Sequence, residues 1–407
     1  MMAEGVNLSS LQDEALPGCH KTSTWLATTL GDVTTWTSGG TPSKSETSYW
    51  NGDIPWLSAK TMTEGWIDSS ETTITTEGLD NGSRLAPPNS VLFLVRGSGL
   101  YNRRYINIVR NPVAFNQDIK CIQATNKILP IYLYYLLRGS DDLLVGMLES
   151  TGIGAGKFDL SRLQNMPIKL PPIAEQRAIA ATLSCLDEKI ATNTKINHHL
   201  EQMAQAIFKS WFVDFEPFRD GEFTESELGL IPKGWHIGLL SDLITIKYGR
   251  DHKKLANGTI PVFGSGGIMR FVDASLYSGE SVLIPRKGTL NNVIYANQAF
   301  WSVDTMFYTI MNRPNIAKFV YFFVRSKDLV SMNAGSAVPS MTTEILNSLP
   351  IVIPPTSVLD RYEEVVSAQF RQIQSNKLEN INLTAIRDLL LPRLMSGELS
   401  VADLAGK

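Results

Sequence analysis

Ser150 to Gln176 reads STGIGAGKFDLSRLQNMPIKLPPIAEQ, and Gly152, Gly154, Gly156 and Lys157 within it suggest a loop that holds phosphate at the start of a helix. The spacing excludes that chemistry. A phosphate-binding loop needs four residues between its first glycine and its Gly-Lys pair, then a Ser or Thr for the magnesium ion. Gly152 and Gly156 enclose three residues, and Phe158 follows Lys157. A glycine turn ahead of a short structural element is the better reading. The five histidines (His20, His198, His199, His236 and His252) have no metal-ligand spacing, and there is no GxSxG elbow or kinase motif set. RNPVAF, from Arg110, lacks the second proline and the adjacent aromatic of a methyltransferase catalytic loop.

What remains is charge. Five arginines (Arg84, Arg96, Arg103, Arg104 and Arg110) lie between Arg84 and Gln117 with no acid among them. Lys247, Arg250, Lys253, Lys254 and Arg270 face only Asp251 between Leu243 and Val272. The net charge of −3 is not that of a strongly basic nucleic-acid binder, so the distribution carries the information. Ordinary solvated surface is the alternative for both stretches. The chain of 407 residues, 43% apolar and 19% charged, is long enough for two to four domains. Its N-terminus shows no basic and apolar regions of a signal peptide, and no apolar run is long enough for a membrane helix. Cys19, Cys121 and Cys185 form no CxxC pair, which suits a reducing cytoplasm.

The elements that must position these residues come twice. GSAVPSMTTEILNSLPIVIPP, Gly335 to Pro355, matches the opening stretch without a gap: Gly152 falls on Gly335, Leu163 on Leu346, and Pro171–Pro172 on Pro354–Pro355. SVLFLVRGS from Ser90 answers SVLIPRKGT from Ser281, YLYYLLR answers FVYFFVR, and WLATTLGDV from Trp25 answers WHIGLLSDL from Trp235. The chain is a duplication. SVLFLV, IKCIQA, SVLIP and MFYTIM predict strands, PIYLYYLL predicts a helix, and a long helix follows each Pro-Pro pair.

Those long helices carry heptads. Ile179, Leu186, Asn193, Leu200 and Ile207 alternate with Leu183, Ile190, Asn197, Ala204 and Trp211. Tyr362, Gln369, Asn376, Leu383 and Leu390 alternate with Val366, Ile373, Asn380, Arg387 and Leu394. These seams predict a coiled coil, the alternative being helices packed each on its own domain. Asn193 and Asn197 map onto Asn376 and Asn380, polar pairs that fix register. Parallel and antiparallel pairing would both align them; antiparallel is preferred because it puts one domain at each end of a rod. A helix of about 35 to 40 residues is roughly 50 to 60 Å long, enough to hold two modules about one to one and a half turns apart on a DNA duplex. A duplicated adaptor spacing two protein-binding domains, or an enzyme lacking its catalytic half, remain alternatives.

Over its length the chain resembles the specificity subunits of type I restriction–modification systems. The resemblance rests on GGTPSKSETSYWNGDIPWLSAKTM from Gly39, IPVFGSGGI from Ile260, LPPIAEQRAIAATLSCLDEKI from Leu170, IFKSWFVDFEPF from Ile207, SELGLIPKGWHIGLLSDL from Ser226 and LLLPRLMSGEL from Leu389. The second copy departs in IPPTSVLDRYEEV, which lacks the Glu175–Gln176 pair; the departure is read as of little consequence. The resemblance implies an α+β fold with two α/β target-recognition domains separated by two long helices in an antiparallel coiled coil. The implied segments are an N-terminal stretch 1–22, recognition domains 23–170 and 219–353, a central spacer 171–218 and a C-terminal spacer 354–400. It further implies a non-catalytic subunit whose domains each read half of an asymmetric bipartite site in double-stranded DNA. Two modification subunits, which methylate adenine N6, would dock on the spacers, and restriction subunits would join them. This chain would hold no cofactor; S-adenosylmethionine, ATP and Mg2+ would sit on those partners. Individual DNA contacts do not carry over, so candidates rest on charge alone: Lys44, Lys60, Arg96, Arg103 and Arg104 in the first domain, and Arg250, Lys253, Lys254, Arg286 and Lys287 in the second. For each, a non-contacting surface cation is the alternative. Trp50 and Trp56 are expected to fill the core.

Overall fold

The computed structural model describes residues 25–152, 154–333 and 339–405, so Cys19, His20, the N-terminal stretch 1–22 and the start of the second matching stretch at Gly335 lie outside the described residues. The chain forms two compact units, one of residues 1–193 with 378–407, the other of residues 194–377. Two long helices, Ile173–Phe212 and Thr356–Ser396, contribute one half to each unit.

In the first unit a five-stranded sheet runs in the order Thr34–Ser38, Ile119–Ala124, Val91–Leu94, Ile106–Val109, Gly65–Ile67. Val91–Leu94 is buried throughout, as a continuous apolar run in a central strand requires. Helix Pro130–Gly139, entered through a proline at its first turn, packs Tyr132, Leu133, Tyr135 and Leu136 into the same core. Trp56 is buried and meets Trp50 edge to face at 5.3 Å, so both tryptophans are packing groups. Strand Pro167–Leu170 pairs antiparallel with Leu26–Thr29, and the chain then enters the long helix.

The second unit repeats this plan. Strand Pro350–Ile353 pairs with His236–Leu239 just before helix Thr356–Ser396, and helix Ala317–Arg325 takes the place of Pro130–Gly139. Its main sheet has six strands in the order Ile244–Tyr248, Met306–Met311, Tyr277–Pro285, Ile294–Ser302, Asn257–Gly264, Gly267–Val272. The central helix ends where Phe215 takes a left-handed conformation, held against Trp235 at 5.5 Å. Phe212 and Phe218 also pack on Trp235, which explains the aromatic spacing of IFKSWFVDFEPF.

Within each unit the paired helix halves run antiparallel. In the first, Asp187 accepts from Arg387 at 2.7 Å and Asn193 donates to Asn380 at 2.9 Å, so the partner number falls as the helix advances. In the second, Asn376 donates to Asn197 at 2.8 Å, while Phe208 and Phe212, further along, meet Tyr362. Parallel pairing would have set Asn193 against Asn376. Every predicted seam residue is buried or half-buried, including Arg387, whose head is held by Asp187 and Asp388. His198 and His199 are exposed.

The Glu175–Gln176 pair is not a minor detail. Gln176 is fully buried: its Oε1 accepts from Leu129 N at 2.9 Å, and its Nε2 donates to Lys127 O at 3.1 Å and Pro171 O at 2.9 Å. It fastens the entry of helix Pro130–Gly139 to the start of the spacer, while Glu175 accepts from Trp25 Nε1 at 3.1 Å. In the second copy Leu359 stands at this position and is buried among apolar side chains. There the same two segments are joined by Asn315 donating to Asp360 at 2.9 Å and Arg313 donating to Thr356 at 3.2 Å. The departure is therefore an exchange of one polar fastening for another.

Candidate nucleic-acid interface

In the second unit three loops converge on the turn Ser302–Thr305. Arg250 N donates to Ser302 O at 2.7 Å, Arg286 N and Lys287 N donate to Thr305 O, and Val303 N donates to Phe263 O at 3.1 Å. Gly249 makes the approach possible: a Cβ there would stand 2.0 Å from Val303 O. Arg250, Arg286 and Lys287 are thus brought together, with the Arg286 guanidinium over the Tyr248 ring at 5.4 Å. Lys253 and Lys254 are exposed on the next turn, where the backbone N–H of Lys253 holds the Asp251 carboxyl below its ordinary range.

The first unit has a loop cluster built on the same junction. Gly39 follows strand Thr34–Ser38 as Gly249 follows Ile244–Tyr248, and a Cβ on Gly39 would stand 2.0 Å from Phe115 O. Gly40 N donates to Phe115 O, Val95 N donates to Asp118 O at 2.8 Å, and Thr41 donates to Gln117 at 2.7 Å. Arg96 lies on the strand Arg96–Gly97 beside Lys157. The two line a cleft of about 560 Å³ with Lys120, Gln117, Asp118 and Asp159. Burial lowers the pKa of Lys120, Asp118 opposing, and its ammonium donates to Ser38.

Lys157 and Lys120 escaped the charge-based selection. Lys157 belongs to the glycine stretch that spacing excludes as a phosphate loop, and it lies on a β-hairpin, Leu148–Ser150 with Gly156–Phe158, turned at Gly154 with φ of +79°. The matching offset between the copies was its available signal: Lys157 falls on Ser340, and Ser340 pairs with Lys287 as Lys157 pairs with Arg96.

The other first-unit candidates divide. Lys44 and Lys60 are exposed on loops away from any ion pair among the described residues. Arg103 is half exposed, stacks on Tyr105 at 4.5 Å and reaches Glu64 at 3.5 Å. Arg104 has a side chain only 12% exposed and is held in a two-pronged pair with Asp141, an arrangement that fixes the loop to helix Asp141–Met147. Among the described residues no three His, Cys, Asp or Glu side chains gather as a metal site, and no helix is long and apolar enough to cross a membrane.

A duplicated α+β chain with an antiparallel helix pair and a glycine-dependent basic loop cluster in each copy defines the class. Residues 22–202 and 232–384 match the type I restriction modification DNA specificity domain, and the chain belongs to that family of specificity subunits. It is 28% identical over 416 residues to the type I restriction enzyme MjaIX specificity subunit of Methanocaldococcus jannaschii, covering 93% of this chain and 94% of that one. It is 37% identical to the EcoR124I/EcoR124II specificity subunit of Escherichia coli over 163 residues, which is 39% of this chain and 40% of the relative. The fold is similar to the crystal structure of a type I S subunit from M. genitalium, with a TM-score of 0.56, 16% identity, and coverage of 93% of this chain and 98% of that one.

Proposed function

We propose that this chain gives a type I restriction–modification complex its DNA sequence specificity, one half of an asymmetric bipartite site being read by each recognition domain, 23–170 and 219–353. The carrying observation is the repeated junction: Gly39 and Gly249 each let a loop close on the turn before a central strand, and each junction presents cations beside it. Arg96 and Lys157 in one copy, with Arg250, Arg286 and Lys287 in the other, suit phosphate and guanine contacts. Lys44, Lys60, Arg103, Lys253 and Lys254 would add phosphate contacts at the margins. Arg104 supports this reading as a positioning residue through Asp141.

The chain itself performs no bond chemistry. Two modification subunits dock along the spacer helices and methylate adenine N6 with S-adenosylmethionine; restriction subunits using ATP and Mg2+ join them in the cytoplasm. The antiparallel helix pair sets the number of bases between the half-sites. The test is to express the chain with its modification subunit in a methylation-free host and sequence the DNA by a modification-sensitive method. Methyladenine in one interrupted, asymmetric motif is expected. An assembled, active complex that methylates without any motif would leave a spacing scaffold and remove the base-reading assignment.

A further inference from the structure

The strand Gly267–Val272 closes one edge of the six-stranded sheet of the second unit and pairs only with Asn257–Gly264 among the described residues. An edge strand in a soluble domain is ordinarily blunted by charge or proline. This one exposes apolar groups on both faces: Ile268 is 50% exposed, Met269 60% and Phe271 41%. Its cation, Arg270, is turned inward, donating to Leu255 O at 2.9 Å and Asn257 Oδ1 at 3.1 Å. The turn ahead of Ile268 is fastened to the basic loops: Asn292 donates to Ser265 O at 2.7 Å, and a Cβ on Gly288 would stand 2.9 Å from Ser265 Oγ.

We propose that hairpin 257–272 is a groove-reading ribbon, with Ile268 and Met269 contacting base edges of the second half-site. The inference rests on the DNA-reading function proposed above and names the residues that discriminate. Charge selects the occupant. Arg250, Arg286 and Lys287 converge beside this turn, and Lys253 and Lys254 sit on the turn bonded to Arg270. The exposed carboxylates nearby in sequence are Asp251, Asp273 and Asp304, of which Asp251 is engaged by the Lys253 backbone. A surface of clustered cations around bare methyl and thioether groups fits a polyanion that also presents apolar groups. Duplex DNA does so in the major groove, which admits a two-stranded ribbon and displays the thymine C5-methyl group. The second half-site is therefore expected to contain thymine where these side chains touch.

The experiment maps methylated motifs made by the assembled complex of full-length chain and modification subunit, comparing wild type, Met269→Leu and the double variant Ile268→Ser/Met269→Ser. The double variant is expected to leave the first half-site intact and relax one or two positions of the second, each by roughly tenfold. Met269→Leu, which keeps an apolar contact, should retain the motif. Thermal melting and co-purification with the modification subunit are read alongside and should not change. An unchanged motif in the double variant overturns the proposal. So does loss of subunit assembly, which would make the edge a protein-docking surface, or loss of folding, which would make these side chains core. A wild-type complex with no motif instead defeats the underlying function, and this inference with it.

Discussion

Gln176 shows how much one side chain can hold. Its three partners are backbone groups on two segments; the bond to Pro171 O is buried and those to Leu129 N and Lys127 O are partly buried. Leaving a buried backbone group unpaired costs about 1–3 kcal/mol. Gln176→Leu, which installs the residue type of the second copy, should therefore cost about 2–4 kcal/mol in urea unfolding despite the gain in apolar surface. Leu359→Gln should also destabilise, because it buries an amide among apolar neighbours. A neutral result for Gln176→Leu would mean the fastening is redundant with Trp25–Glu175. The sequence marks this pair only as a difference between copies. Its role is invisible there because Leu129 and Lys127 are more than forty residues away.

At the scale of elements, the spacer helices were the most legible part, because a period of seven survives duplication and needs no partner to be seen. What periodicity does not supply is direction. The asparagines supply it only when their partners are known: Asn193 with Asn380, and Asn197 with Asn376. Replacing all four by Leu should raise the melting temperature yet yield mixed species on sizing, since apolar seams tolerate shifted registers. A single, well-defined species would remove the register role. The recognition domains were legible as strands and helices but not as surfaces. The sequence does not show that strand Gly267–Val272 is exposed on both faces, nor that the Arg104 guanidinium is paired with Asp141.

Across the whole molecule, both cores draw on the C-terminal helix. The first core takes Leu391, Leu394 and Met395 from the C-terminal helix, and the second takes Leu359, Tyr362, Val366 and Phe370 from the same helix. Each such buried side chain is worth about 1.5–3 kcal/mol, against a total stability of about 5–15 kcal/mol for a domain. A chain ending at Pro355 should lose cooperative melting of both units, read by calorimetry or amide exchange; survival of the first transition would show its core to be self-sufficient. The same arrangement bears on heredity. Residues 194–377 are one uninterrupted stretch that carries all of its own core, the helix halves included. Genetic crossing-over within the two helices, near Asn193 and Leu378, would transplant one folded unit intact, whereas exchange at the Pro-Pro junctions would strand each unit beside a foreign helix.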